Sequence, residues 1–199
     1  MPQPRTIYDF YGFPPELYAA AYPAPGSPDL AERVREVVKA VVVRPDLGWG
    51  LDHGAWSVLR RLFPAADVPV VQLGLDQAAG AQFHYDLGKQ LAPLREEGVL
   101  VLGSGNIVHN LRIMQWAEAA FDWAAEYDAR LRQWILDGDH APIIQYEKHG
   151  QAGMLAVNSA EHYEPLLYAL ALQEPGETVH FFAEKVTLGS ISMRSLRIG

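Results

Sequence analysis

The 199-residue chain contains no cysteine. That excludes disulfides, a thiolate nucleophile and any cysteine-bound metal, so a metal ion would have to sit on His, Asp, Glu or carbonyl oxygen. The chain also lacks any apolar run near the ~20 residues needed to cross a bilayer. Its start, Met1-Pro2-Gln3-Pro4-Arg5, has no apolar stretch of the kind found in a secretory leader. A cytoplasmic protein with no membrane partner is therefore expected. Basic residues are in short supply: 16 Lys and Arg against 24 Asp and Glu give a formal net charge of -8. Without basic runs to meet phosphates, nucleic acid is not an expected partner and a small molecule is. No internal repeat or low-complexity segment is present.

What the chain does have is apolar content, 49% of its residues, enough for a full core. Residues 6–28 are crowded with aromatics (Tyr8, Phe10, Tyr11, Phe13, Tyr18, Tyr22) and prolines, which forbid one regular element and suggest a packed lid or core edge. Ser27 and Pro28 suit the cap and first position of a helix carrying Leu30, Val34, Val37, Val38 and Val41 on one face. Asp52 can cap a second helix. Residues 68–75 and 99–102 read as short buried strands, and 77–97 and 114–136 as long helices. In the helix 77–97, Phe83, Leu87, Leu91 and Leu94 form the apolar stripe, and His84, off that stripe, is expected to be exposed. Trp116, Trp123 and Trp134 read as packing residues. A short helix is expected over 142–148, and two closing strands over 178–186 and 188–198.

The chemistry concentrates around Gly103-Ser104-Gly105-Asn106-Ile107-Val108-His109-Asn110. Two glycines follow an apolar run, where backbone can come close to a ligand. Beyond the C-terminal end of a buried strand is where open α/β sheets place ligands. The plainer reading is a strand, a turn and a surface histidine. Of the seven histidines, His53, His109 and His162 each follow a turn and sit near an expected helix start, where exposed backbone N–H groups favour neutral imidazole. His84, His140, His149 and His180 lack that setting. Competing motifs fail. No Gly-Lys-Ser/Thr follows the glycines, the third glycine of a dinucleotide fingerprint is missing, and no Gly-x-Ser-x-Gly elbow surrounds Ser104.

Leu51-Asp52-His53-Gly54-Ala55-Trp56, the stretch from Gly103 to Leu111 and Glu161-His162-Tyr163 resemble the class III extradiol ring-cleavage dioxygenases, in their DOPA dioxygenase branch. Tyr22-Pro23-Ala24-Pro25-Gly26-Ser27-Pro28 and Gly189-Ser190-Ile191-Ser192-Met193-Arg194-Ser195 resemble that branch too, so the likeness runs along nearly the whole chain. It implies an α/β fold, one domain with a central mixed sheet flanked by helices. It implies a mononuclear Fe(II) site, with Zn(II) in some relatives, a catecholic substrate and O2; a homo-oligomer is compatible with it. By position, His162 matches a metal ligand. His109 matches the acid/base histidine, counted with the metal in some members, and His53 matches a histidine near substrate and oxygen. Members of the family open with a strand and a His-Gly-Ser-Pro type loop, then a Ser-Ala-His-Trp type segment, which supply two metal histidines. Neither stretch occurs here. The likeness therefore implies a catalytic domain over residues 1–199, N-terminally truncated, without the first strand and two ligand segments. The alternative is a non-catalytic α/β remnant or interaction subunit that has lost the complete metal site.

Overall fold

The computed structural model describes residues 1–199, which form two compact units, Met1–Gly74 and Leu75–Gly199. The first holds helices α1 (Pro15–Tyr18), α2 (Pro28–Val37) and α3 (His53–Leu62). Local chemistry sets their starts. Ser27 Oγ accepts from the Leu30 N–H with Pro28 at the first helical position, and Asp52 accepts from the Ala55 N–H. Between the helices, extended segments meet in single parallel bridges, Thr6 with Leu51 and Gly26 with Val70. The core is Ala20, Tyr22, Ala24, Leu51, Trp56 and Leu59. The early aromatics do form an edge of it: Tyr8, Phe10 and Trp56 meet ring to ring, the Tyr22 hydroxyl donates to the Phe63 carbonyl and the Trp56 indole to the Ile7 carbonyl. Tyr11 points out to solvent.

The second unit holds α4 (Ala81–Gln90), α5 (Ala92–Glu96), α6 (Asp122–Leu136), α7 (His140–Ile144), α8 (Gly150–Ala156) and α9 (Glu164–Ala171), with a 3-10 turn at Ala160–His162 before α9. Its four short strands are β1 (Val179–Phe182), β2 (Val186–Thr187), β3 (Ile191–Ser192) and β4 (Ser195–Ile198). β1 pairs antiparallel with β4, Val179 opposite Ile198, and β2 pairs antiparallel with β3. The fold is mixed α/β, as expected, with small sheets rather than long ladders. Its mixed character shows at His109, which bridges Val157 in parallel on one side and Ile191 in antiparallel on the other. Tyr127, Leu131 and Ile135 of α6, Tyr163 before α9, Leu167 and Leu170 of α9, and Val108 fill the core.

Several expectations are corrected here. Residues 99–102 make no strand pairing, and Leu100 and Leu102 are exposed; an apolar run becomes a buried strand only when a ladder partner covers it. Residues 68–75 likewise keep a single bridge, at Val70. The helix expected from 114 starts only at Asp122, because the preceding backbone bonds to a distant segment: Gln115 donates to Leu188 O, and Leu188 and Gly189 donate to Ala117 O and Ala119 O. Trp116 is left exposed, while Trp123 and Trp134 pack on the core.

His84 is wholly buried, not exposed. Its face of α4 packs on α9, where Gly88 closes the gap to Tyr168 and Ala171. His84 Nδ1 lies 3.0 Å from the Tyr168 hydroxyl; Nε2 lies 3.2 Å from the Asp76 carbonyl and 3.3 Å from Glu164 Oε1. Burial pushes the His84 pKa down and the Glu164 pKa up. Both shifts disfavour charge, so this contact is a buried polar packing pair rather than an ion pair.

Candidate active site

His109 is fixed through its backbone. Its N–H donates to the Ala156 carbonyl at 3.0 Å, the Asn110 N–H donates to Ser190 O at 3.2 Å, and the Ser192 N–H donates to Val108 O at 2.9 Å. The Asn110 side chain reinforces this by donating to Leu155 O, and Ser190 Oγ donates to Asn110 O. The histidine thus stands between two strand-like segments rather than at the helix start expected of it. Its ring lies face to face with that of His162, centroids 3.7 Å apart and planes 24° apart. Burial, then the neighbouring His162, lowers the His109 pKa to about 4, with Glu161 pulling weakly the other way. At neutral pH His109 is therefore an uncharged imidazole, able to accept a proton.

His162 closes the 3-10 turn just before α9 and is partly exposed. Ser159 makes no side-chain cap here, and the helix proper starts at Glu164, with Pro165 accommodated in its first turn. Glu161 Oε1 lies 4.0 Å from His162 Nε2, beyond hydrogen-bonding distance.

His53 lies in the first unit, at the first position of α3. Its N–H donates to Asp9 Oδ1 and its ring Nδ1 stands 2.9 Å from Asp9 Oδ2. Partial burial raises the Asp9 carboxyl, but the hydrogen bonds from the His53 backbone and ring outweigh it and leave the pKa below its ordinary value. A carboxylate can only accept, so His53 Nδ1–H is the donor in this contact. Phe10 meets the same ring edge-on. Asp9 was missed in the sequence because it lies 44 residues away, with no local motif to announce it.

A mononuclear iron or zinc centre takes about three protein ligands. No group of three or more His, Asp or Glu side chains comes together so as to hold a metal ion. The adjacent imidazoles of His109 and His162 are two candidate ligands. The residues as placed do not fit a complete metal site.

The glycines after residue 102 serve this site differently from the expectation. A side chain at Gly103 would meet the Pro165 carbonyl at 2.4 Å, and one at Gly105 would meet the His162 carbonyl at 2.1 Å. The close approach they permit is to the backbone carrying His162.

The family described as the catalytic LigB subunit of aromatic ring-opening dioxygenase matches residues 2–194. The 4,5-DOPA dioxygenase extradiol of Escherichia coli (strain K12) is 40% identical over 205 residues, covering 100% of this chain and 75% of that protein. The 4,5-DOPA dioxygenase extradiol of Beta vulgaris is 40% identical over 169 residues, covering 83% of this chain and 63% of its own length. A crystal structure of an uncharacterized protein from Escherichia coli K12 superposes with a TM-score of 0.83 at 35% identity, over 99% of this chain and 81% of that one. The chain belongs to the LigB family of aromatic ring-opening dioxygenases.

Proposed function

We propose that this chain opens the ring of a DOPA-like catechol with O2, breaking the bond beside rather than between the two hydroxyls. The observation that carries this reading is the His109–His162 pair, a half-buried uncharged imidazole stacked on a second one. His109 takes the proton of a catechol hydroxyl and later returns one. A pKa of about 4 makes it a weak base when the site holds no substrate. A phenolate oxygen placed beside it raises that value, so its basicity grows as the substrate ionises. The likeness to the family adds His53 as a histidine that hydrogen-bonds substrate or oxygen. Fe(II) is the metal this reading calls for, with Zn(II) the alternative, and His162, with His109 beside it, is the ligand the chain offers. The names of the relatives support the substrate class.

The test is anaerobic Fe(II) loading, elemental analysis and catechol turnover on the chain and two variants. His162→Ala is expected to lose metal retention; His109→Ala is expected to keep metal and lose turnover. Equal metal content and equal rates in both variants would refute the assignment. A second reading, a non-catalytic chain acting through association, is favoured by the lack of a three-ligand group. A stable protein that retains no metal and turns over no catechol would favour it over the enzyme.

A further inference from the structure

We propose that Gly105 and Asn106 are positioning residues, clamping the backbone of His162 to β3 so that its imidazole lies flat on His109. This rests on the proposed function for its meaning, but the clamp stands on geometry alone. The Asn106 N–H donates to the His162 carbonyl at 2.8 Å, and Asn106 Nδ2 donates to the Ser192 carbonyl at 2.7 Å. Ser192 in turn donates its N–H to Val108 O, and its neighbour Ile191 is bridged to His109. These links close a loop from His162 through Asn106, Ser192 and Val108 back to His109. Gly105 makes the loop possible. A Cβ there would stand 2.1 Å from the His162 carbonyl oxygen and 2.9 Å from its carbon, distances that no side chain tolerates. Any residue but glycine must push His162 away, and its carbonyl is backbone that cannot rotate aside.

The experiment compares Gly105→Ala and Asn106→Ala with the unsubstituted chain. Gly74→Ala serves as the control, since a Cβ there meets open space. Nuclear Overhauser effects between the His109 and His162 rings are read by NMR on the full chain, and kcat and KM with a catechol are read in parallel. Gly105→Ala is expected to abolish the ring-to-ring effects and to lower kcat on the order of a hundredfold, with KM changed less than about threefold. Asn106→Ala, which keeps the backbone N–H but loses the tie to Ser192, is expected to weaken the effects and lower kcat by about tenfold. Should Gly105→Ala fail to fold, Asn106→Ala decides, because it removes only side-chain atoms. Ring-to-ring effects of full strength in both folded variants would overturn the clamp. Their disappearance with turnover unchanged would overturn the positioning role. Their disappearance where the unsubstituted chain has no turnover would count against the proposed function and leave the clamp standing.

Discussion

Asp128→Ala is expected to be a costly single change near the site that touches no histidine. Asp128 projects from α6 and is 4% exposed. Its carboxylate accepts from Ser192 Oγ at 2.6 Å, from Arg194 Nε at 3.0 and 3.1 Å and from Arg194 Nη2 at 2.5 Å. The Arg194 side chain is itself 8% exposed, lies over the Phe181 ring and also donates to Glu184. Removing the carboxylate leaves a buried guanidinium whose remaining carboxylate partner, Glu184, is 39% exposed. Breaking a buried pair from one side costs ~3–5 kcal/mol. Because Glu184 still screens Arg194, the lower end applies, ~3 kcal/mol including the lost Ser192 hydrogen bond. With an m value of ~2 kcal/mol per molar urea, the unfolding midpoint should fall by ~1.5 M. Asp128→Ala with Arg194→Met removes both charges, and about half of the loss should return. A midpoint shift under ~0.5 M, or one abolished by 1 M salt as for an exposed pair, would refute the reasoning.

Acid should weaken the fold. Burial holds the pKa of His109 at about 4 and those of His84 and His140 below the ordinary 6.5. As pH falls the unfolded chain takes up these protons first. Stability is therefore complete above about 6.5 and is lost as pH drops towards 4, His109 contributing at most ~3 kcal/mol. A urea midpoint that stays flat from pH 7 to pH 5 would contradict this. Gly88→Ala should destabilise by ~1–3 kcal/mol through overpacking, since its Cβ would meet Ala171 Cβ at 2.8 Å and Tyr168 Cα at 3.0 Å. Thermal melting checks it, and an unchanged Tm would show that α4 and α9 can part freely.

What was legible in the sequence was mostly local. The Ser27 and Asp52 caps depend on residues three positions apart, and both form as read. The glycine pair and the three histidines stood out by type and spacing, and His109 and His162 do come together. The misses are non-local. His84 lies off the stripe of its helix, but a second helix covers that side. The helical pattern ahead of Asp122 gives way to backbone pairing with Leu188 and Gly189, some 70 residues on. The role of Gly105 is set by a carbonyl 57 residues away, which periodicity cannot register.

The apolar run at residues 99–102 also reorders the usual link between greasiness and slow solvent exchange. Leu100, Val101 and Leu102 make no hydrogen bond through their amides, whereas those of Asn106, His109 and Asn110 are bonded to His162, Ala156 and Ser190. In deuterated buffer the amides of the apolar stretch should take up label among the first of their unit, and those of Asn106, His109 and Asn110 among the last. A labelling map would then set the bonded amides around His109 apart as the slow part of this stretch.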